Sequence, residues 1–537
     1  MIRDVHKGKI KVHLTLLLMW MRMASGENAP PQYREKWRPQ YHYTPPKNFM
    51  NDPSGLVAFD GLYHLFYIYD PSAIGPVQYS SWGHAVSTDL VHWETWPLAL
   101  PETAGVLVFS GSAVADIHNT TGFCTNDTVA LIAIFTGHHP ASDLSGQGLA
   151  YSLDGGVKWT YYDRNPVLDV GTTHFRDPKV FWHEPTKRWV MAVAQAMGKN
   201  RAIRLFSSPD LKNWTYLSEK NQQGLIATNE VETPNLFELR VTVENTTKWV
   251  LAVITGKGSR PRRSVMYWIG NFDGKQFVPD DIKARFVDFG YDFQAFQTWN
   301  NYVDDRVLMI GWMCVWDYCG LVPTQPWKGA QSLVRELSLE REASAIILVQ
   351  KPVKQMEKLR SALQLELDKT DTLTARKMFR TNKVRGRSLE IKVELKPHAK
   401  TKKVGFQIRS GEKEETIVCY DHFKEAVYID RAKSGIIHKK MSLVDSANVV
   451  LQNGTLKLWI FLDWSSVEVF VNDGRQVITN LIFPQNDSSD EVDIFCLGHE
   501  AEVVSLKIYE LNTTWEKYWN NNTWGQSDGE KRFKIGN

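Results

Sequence analysis

The sequence predicts an all-β protein in which a five-bladed β-propeller is followed by a C-terminal β-sandwich. Two observations lead to the propeller. Apolar, strand-like segments recur roughly every 60 residues in the first two thirds of the chain, and helical periodicity is hard to find there. A third observation, an aromatic content of 12%, suits β structure and flat, hydroxyl-rich ligands that stack on rings.

The propeller prediction depends on five apolar runs and on a shorter strand-like segment before each of them. The runs are "LYHLFYIY" (62–69), "VALIAIFT" (129–136), "RWVMAVAQ" (188–195), "KWVLAVIT" (248–255) and "RVLMIGWM" (306–313). The shorter segments are "NDPSGLVAF" (51–59), "FSGSAVAD" (109–116), "FRDPKVFW" (175–182), "ETPNLFEL" (232–239) and "DFQAFQTW" (292–299). A unit of about four strands that is repeated around an axis forms a propeller. The alternative is a β-sandwich with accidental spacing.

The first, third and fourth of the shorter segments carry near their start the acidic residues Asp52, Asp177 and Glu232. The first strand of each propeller blade lines the central channel, so these residues would converge on one pocket. Three carboxylates in one pocket repel each other, and each raises the pKa of its neighbours. Such an unfavourable arrangement predicts a functional site.

The C-terminal third changes to short alternating strands such as "SLEIKVELKP" and "DWSSVEVFVNDG", which are typical of a β-sandwich. The Asn-Asp-Gly at 472–474 predicts a hairpin turn. We expect the propeller to span 33–345, a partly helical linker to span 346–365, the sandwich to span 366–512, and a tail to follow at 513–537.

The N-terminal residues 1–26 resemble a secretory signal, because a basic region precedes the short apolar run "LTLLLMWM" and then small residues. A disordered start or a small anchor is the alternative. Eight Asn-x-Ser/Thr sequons agree with export as a glycoprotein. Their asparagines are Asn119, Asn126, Asn213, Asn245, Asn453, Asn486, Asn512 and Asn521.

The charge and the cysteines exclude several other classes of protein. A net charge of +3, from 63 Lys and Arg against 60 Asp and Glu, gives no reason to expect a nucleic acid or an anionic membrane as partner. Five scattered cysteines are too few for a disulfide-built fold, and their odd number leaves at least one unpaired unless chains are linked. No cluster has metal-ligand spacing, so we expect no metal and no cofactor.

Seven motifs together resemble the ordered signature of glycoside hydrolase family 32, which contains invertases, inulinases and fructosyltransferases. The motifs are "NFMNDPSGL", "FSGS", "FRDPKVF", "ETPNLF", "QTW", "PWKGAQSLVREL" and "DWSSVEVFVNDG", from about residue 40 to residue 510. The sequences of these motifs are more similar to those of yeast and fungal members than to those of plant members. The family combines a five-bladed propeller with a β-sandwich, which agrees with the architecture predicted from the repeat.

The resemblance implies a role for each of the three carboxylates. Asp52 matches the nucleophile, Asp177 matches the residue that binds the fructosyl hydroxyls and stabilises the transition state, and Glu232 matches the acid/base. Retaining cleavage needs a carboxylate nucleophile and an acid about 5–5.5 Å away from it. Glu230 competes for the acid role, because alternation places it on the same face of the strand as Glu232. The Pro234 of the motif favours Glu232.

Six further residues are candidates for substrate binding: Asn51, Ser54, Trp82, Ser112, Arg176 and Trp316. Trp82 and Trp316 could stack on the sugar, and Arg176 could pair with a carboxylate. The chain departs from the family pattern at Phe49, Ser54, Ile68 and Thr233, where the usual residues are Trp, Asn, Gln and Cys. These changes put the preferred fructoside, the rate and the balance of hydrolysis and transfer in question.

The expected activity is retaining hydrolysis of terminal β-fructofuranosyl residues of sucrose, and of fructo-oligosaccharides or inulin. The alternative is a sucrose-dependent fructosyltransferase that uses the same double displacement. A non-catalytic fructan-binding or sensor protein is a hypothesis of another class, and an arabinoside-cleaving glycosidase is a more remote one. We expect a secreted or vacuolar protein that has no membrane partner after the signal segment is removed. We also expect a homodimer that forms through the sandwich domain.

Overall fold

The computed structural model describes residues 32–75, 79–124, 128–196, 201–221, 230–242, 244, 246–256, 264–302 and 306–516. The expected signal segment, most of the expected tail, and Asn126, Asn245 and Asn521 lie outside these residues. Asn119, Asn213, Asn453, Asn486 and Asn512 are all exposed, as glycan attachment requires. Among the helices that the structure describes, none combines the length and apolarity needed to cross a membrane.

The N-terminal part of the described chain consists of antiparallel strands joined by short turns. Its strands are β1 (Asn48–Phe59), β2 (Leu62–Asp70), β3 (Ser81–Ser87), β4 (Glu94–Leu100), β5 (Leu107–Asp116), β6 (Ala130–His139), β7 (Leu144–Ser152), β8 (Thr160–Tyr161), β9 (Phe175–His183), β10 (Arg188–Gln195), β11 (Ala202–Ser208), β12 (Thr215–Asn221), β13 (Val231–Val241), β14 (Thr246–Thr255), β15 (Ser264–Phe272), β16 (Phe277–Pro279), β17 (Arg285–Phe286), β18 (Gln294–Thr298), β19 (Val307–Trp312), β20 (Trp327–Lys328), β21 (Arg335–Glu342) and β22 (Ala345–Pro352). Short 3-10 turns lie at Glu184–Thr186 and Cys319–Leu321.

These strands form sheets in sequence order. β1 to β4 form one sheet with β20 added parallel to β1, β5 to β8 form a second, and β9 to β12 form a third. A larger sheet contains β13 to β16 and the group β18, β19, β21 and β22, joined by one parallel pair between β13 and β21. Each of the ten segments predicted as strands from the repeat therefore contains a strand.

The first strands of the five groups contact each other in a closed order. β1 contacts β5, β5 contacts β9, β9 contacts β13, β13 contacts β18, and β18 contacts β1. Such a ring brings residues that are far apart in sequence to one axis, as the propeller prediction requires. The all-β fold is confirmed, and the count of five blades stays a prediction.

The C-terminal part packs two antiparallel sheets face to face. Its strands are β23 (Arg360–Asp371), β24 (Leu389–Lys396), β25 (Thr401–Ser410), β26 (Glu415–Asp421), β27 (Ala426–Lys433), β28 (Val444–Asn448), β29 (Leu456–Asp463), β30 (Ser466–Val471), β31 (Gln476–Leu481), β32 (Glu491–Gly498) and β33 (Glu502–Leu511). The sheet orders are β23-β33-β24-β29-β30-β31 and β28-β27-β26-β25-β32. Their inner faces share an apolar core, which is the layering of a β-sandwich.

The one α-helix among the described residues, α1 (Thr372–Thr381), lies inside the sandwich sequence and was not predicted. Its N-cap is Asp371, whose side chain accepts a hydrogen bond from the backbone N–H of Thr374, a stabilising arrangement for a helix start. A 3-10 turn at Asn472–Gly474 joins β30 to β31, at the hairpin turn predicted from Asn-Asp-Gly.

The segment 346–365, expected to be a partly helical linker, consists mainly of strand. β22 pairs with β21 as far as Pro352, a 3-10 turn spans Lys354–Leu359, and β23 begins the sandwich at Arg360. The residues of "AIILVQKP" pair with β21 from Ala345 to Pro352, so the connection shortens to one turn. We propose this turn as the boundary between the two domains.

Buried charged residues join the two parts of the molecule. Arg335 of β21 donates to Asp288 Oδ2 at 3.0 Å and to Glu468 Oε2 of β30 at 2.6 Å. His42 bridges Glu468 and Asp463, and these carboxylates raise the pKa of His42 to about 9 against the opposing effect of burial. All five side chains are buried, so the domains share one charged interface.

Candidate active site

Each of the five inner strands has a β-bulge near its first residues. The ladder registers shift between Met50 and Pro53, between Phe109 and Gly111, between Arg176 and Lys179, between Glu232 and Asn235, and between Gln294 and Gln297. A bulge bends the strand and aims side chains in new directions. Proline has no N–H for a ladder, so bulges tolerate it, and this explains the Asp-Pro and Thr-Pro pairs of the motifs.

The carboxylate of Asp52 lies in the first of these bulges and receives two side-chain hydrogen bonds. Ser110 Oγ donates to Oδ2 at 3.0 Å, and Asn51 Nδ2 donates to Oδ1 at 3.2 Å. Burial and the negative charges of Asp177 and Glu232 raise the pKa of Asp52 to about 7, while the two hydrogen bonds oppose this rise. Asp52 therefore shares one electrostatic environment with both other predicted carboxylates.

Asp177 occupies a left-handed backbone conformation, with φ of 65°, in the bulge of β9. Its backbone N–H donates to Thr136 Oγ1 at 2.9 Å, and its Oδ2 accepts from the backbone N–H of Thr233 at 3.0 Å. Burial raises the pKa of Asp177 to about 6, the Arg176 charge lowers it, and the Glu232 charge raises it. The carboxylate is thus held rigidly beside the next inner strand.

Arg176 connects the acidic residues of two inner strands. Its Nη2 donates a short hydrogen bond to Glu232 Oε1 and lies 3.9 Å from Glu230 Oε1, and its Nε lies 3.9 Å from Asp177 Oδ2. Its Nη1 contacts His174 Nδ1 at 3.1 Å. Glu232 is therefore closer to Arg176 than its competitor Glu230 is. The negative charges of Glu232 and Asp177 both raise the pKa of Asp52.

The cluster binds protons more tightly than isolated carboxyl groups do. With the pKa of Asp52 at about 7 and that of Asp177 at about 6, the cluster holds at least one proton below pH 6. A cluster of carboxyl groups that keeps a proton at mildly acidic pH can supply both a proton donor and a proton acceptor to one reaction. The arrangement is thus suited to chemistry that needs both.

Two of the six predicted binding residues contact the carboxylates, and a third lies near the start of the strand that carries Asp52. Asn51 and Arg176 make the hydrogen bonds just described. The indole of Trp316 is 38% exposed, and its ring centroid lies 5.9 Å from that of Phe49 and 5.2 Å from that of Trp312. Trp316 is therefore a solvent-facing aromatic surface close to the strand that carries Asp52.

The other three lie in the interior of the sheets. Ser54 and Trp82 have no exposed surface, and Trp82 donates its indole N–H to a backbone carbonyl of β5. Ser112 is 1% exposed, and its hydroxyl donates to the carbonyl of Pro178 and accepts from the N–H of Val180. The three residues pack the sheets and join neighbouring strands, and their contact with a sugar stays a prediction.

Of the four departures from the family pattern, two are buried apolar residues and a third contacts Asp177 through its backbone. Phe49 and Ile68 are buried apolar residues, and Ile68 lies opposite Trp82 in the pairing of β2 with β3. Thr233 has a left-handed backbone with φ of 45° and supplies the N–H that binds Asp177. Thr233 therefore takes part in the cluster through its backbone, which does not depend on its side chain.

Sequence reasoning missed Ser110, which contacts Asp52 directly. Ser110 and Ser112 belong to the same "FSGS" motif, and strand alternation places both on one face. The bulge between Phe109 and Gly111 interrupts that alternation, so only Ser110 turns towards Asp52. The available signal was the glycine inside a strand, which often marks a bulge.

Comparison with protein-family models gives two matches that cover most of the chain. Residues 42–352 match the model of the glycosyl hydrolases family 32 N-terminal domain, and residues 355–510 match that of the family 32 C-terminal domain. The matched range agrees with the extent expected from the motifs.

Two curated relatives align along almost the whole chain. A levanase of Bacillus subtilis (strain 168) is 39% identical over 521 residues, which cover 94% of this chain and 75% of the levanase. An extracellular exo-inulinase of Aspergillus awamori is 33% identical over 533 residues, which cover 90% of this chain and 96% of the inulinase.

Solved structures of fungal and yeast enzymes have the same fold. The crystal structure of exo-inulinase from Aspergillus awamori aligns with a TM-score of 0.81 and 32% identity, covering 90% of this chain and 100% of that chain. Fructofuranosidase from Schwanniomyces occidentalis complexed with fructose aligns with a TM-score of 0.79 and 31% identity, covering 91% and 100%.

Proposed function

Because the chain belongs to glycoside hydrolase family 32, we propose that it is a retaining exo-β-fructofuranosidase that releases terminal fructosyl units from β-fructans and from sucrose. The observation that carries the proposal is the partly buried cluster of Asp52, Asp177 and Glu232, in which Arg176 contacts both of the last two. The hydrolase names of the relatives levanase and exo-inulinase support fructans as substrates.

In the proposed mechanism Asp52 attacks the anomeric carbon of the fructosyl unit while Glu232 protonates the leaving oxygen. This step requires an ionised Asp52 and a protonated Glu232. In the reactive form the proton lies on Glu232 and not on Asp52, and the hydrogen bonds that Asp52 accepts from Ser110 and Asn51 favour its ionised form. Glu232 then removes a proton from water, which releases fructose and restores Asp52.

Asp177 and Arg176 have supporting roles in the proposal. Asp177 is held by the Thr233 N–H and would bind fructosyl hydroxyls as positive charge develops at the anomeric carbon. Arg176 binds Glu232 and approaches Asp177, so it fixes the separation of the acid and the stabilising carboxylate. Trp316, next to Phe49 at the start of β1, offers an exposed ring on which a sugar can stack.

Time-resolved product analysis tests this proposal. Levan, inulin and sucrose are each incubated with the purified protein, and the products are separated. We expect fructose as the product released from both fructans at the earliest times, and equal glucose and fructose from sucrose. Fragments of intermediate length would contradict exo-cleavage. Excess glucose with a new trisaccharide would indicate the transferase alternative, and binding without turnover would indicate the sensor.

Stereochemistry tests the retaining step separately. With methanol as acceptor, we expect the methyl glycoside to keep the β configuration, because two displacements at the anomeric carbon restore it. An α product would show inversion and would overturn the role of Asp52 as nucleophile.

The serines of "FSGS" provide a prediction about the pH dependence. Ser110→Ala removes a hydrogen bond to a charged group, so we expect kcat/KM to fall about tenfold or more. That bond lowers the pKa of Asp52, so its loss raises the pKa. Since Asp52 must be ionised, activity should then be lost at a higher pH as the solution is acidified. The measurement is the pH profile of kcat/KM.

Ser112→Ala is the matched control. The Ser112 hydroxyl makes two hydrogen bonds to the backbone of β9, so its loss should cost about 1–3 kcal/mol of stability. The acidic limb of the profile should stay in place. A shift of the same size in both variants would contradict the assignment of Ser110.

Secretion is part of the same proposal, and the extracellular relatives together with the signal-like segment 1–26 support it. The five exposed sequons support glycosylation. The homodimer stays a prediction, which the mass of the purified protein in solution tests.

A further inference from the structure

The residues Asn51 and Asp52 have no partner in the register of either neighbouring strand. β1 pairs with β2 up to Met50 and again from Pro53, and its parallel pairing with β20 ends at Phe49. Asn51 is nevertheless buried, with 3% of its surface exposed. A buried backbone carbonyl without a hydrogen bond is destabilising, so the bulge depends on a donor from outside these two ladders.

Gln331 supplies that donor. Its side-chain Nε2 donates to the backbone carbonyl of Asn51 at 2.9 Å, across 280 residues of sequence. The side chain has no exposed surface, and its backbone N–H donates to the carbonyl of Tyr43 at 2.9 Å. The glutamine is therefore fixed at both its backbone and its amide.

The segment that carries Gln331 lies directly against β1. Gly329 has φ of +90°, and a Cβ atom there would lie 1.9 Å from the Met50 carbonyl oxygen, so only glycine allows this approach. On the other side, the backbone N–H of Leu333 donates to Glu468 Oε1 at 2.8 Å. The segment is thus held between the strand that carries Asp52 on one side and the sandwich domain on the other.

We propose that Gln331 is a positioning residue for Asp52, which acts by fixing the bulge through the Asn51 carbonyl. Asn51 transmits this constraint, because its Nδ2 donates to Asp52 Oδ1 at 3.2 Å. The buried Ile68 on the neighbouring strand offers no polar group for this purpose. The inference rests on the proposed function, in which Asp52 is the nucleophile.

The test is Gln331→Met, which keeps the length of the side chain and removes the amide. We expect kcat to fall about tenfold or more with KM changed less than about twofold, because a misplaced nucleophile affects the chemical step. The acidic limb of the pH profile should move to higher pH, since a looser Asn51 no longer lowers the pKa of Asp52. An unchanged kcat and an unchanged limb would overturn the proposal.

Gln350→Met is the matched control. Gln350 is also a buried glutamine whose Nε2 donates to a backbone carbonyl, that of Val287, but its Oε1 accepts from Arg335, so these two hydrogen bonds lie outside β1. Its replacement should lower the melting temperature without moving the acidic limb. If both variants shift the acidic limb of the pH profile by the same amount, the shift reflects a general loss of stability. That result would overturn the role of Gln331. Gln331→Asn, whose amide is one methylene too short, is the second variant should Gln331→Met not fold.

NMR titration of carboxyl-labelled protein measures the pKa of Asp52 directly. It compares the two glutamine variants without any measurement of turnover. A pKa that rises in Gln331→Met and not in Gln350→Met supports the proposal, and identical titration in the two variants and the unaltered protein contradicts it. Absence of fructoside turnover in the unaltered protein would overturn the proposed function alone.

Discussion

Asp52→Asn is expected to lower turnover of every fructoside by about 10⁴-fold or more, the scale of loss when a nucleophile is removed. The amide cannot form the fructosyl-enzyme, so mass spectrometry of the quenched reaction should show no protein carrying an added fructosyl unit. The hydrogen bonds from Ser110 and Asn51 hold the carboxylate of Asp52 in the bulge of β1. Initial rates and intact mass are the measurements.

The variant should fold at least as well as the unaltered protein. Burial and two neighbouring negative charges disfavour the ionised form of Asp52, and this penalty is about 1.4 kcal/mol for each unit by which the pKa is raised. The raised pKa means that stability is lost as the pH rises through about 7, so Asp52→Asn should melt at a higher temperature at pH 8.

Asp60→Asn is the matched control, because Asp60 is an exposed residue in the turn that follows β1. The same chemical change there should alter neither turnover nor labelling. Substantial activity in Asp52→Asn, or labelling that persists, would contradict the assignment of the nucleophile.

Arg335→Met is expected to be the most destabilising single change outside the site, with a loss of about 3–5 kcal/mol. The substitution leaves Asp288 and Glu468 as buried carboxylates without their main counter-charge, at the interface of the two domains. Buried charges that lose one partner cannot recover the hydration that they gave up on folding. Chemical denaturation followed by tryptophan fluorescence measures the loss.

Arg475→Met provides the comparison, because Arg475 forms another ion pair between the two parts of the chain. Its Nη2 lies 2.8 Å from Glu340 Oε2, and the two side chains are 17% and 22% exposed. Water screens this pair, so the expected loss is about 1 kcal/mol or less. Similar losses for the two arginines would show that the burial of the Arg335 network does not govern its contribution.

The fold class could be predicted from the sequence because strand periodicity is a local property. The apolar runs and the segments before them each form strands, and the alternation after residue 366 forms a sandwich. The expected linker 346–365 consists mainly of strand, because β22 pairs with β21 as far as Pro352 and β23 begins at Arg360. The helix α1 was missed because it lies within an alternating β-rich region and its start depends on the cap at Asp371.

The sequence by itself determined the family, the all-β architecture and the three acidic residues that meet in the cluster, because each lies in a short ordered motif. Only the tertiary structure decided which neighbours act on them. A bulge turned Ser110, rather than Ser112, towards Asp52, and the closing of the sheets buried Ser54 and Trp82. Gln331 reaches Asn51 from 280 residues away, a contact that no local pattern of residues can specify. Periodicity predicts strands, whereas the ring of strands and its bulges determine which side chains meet.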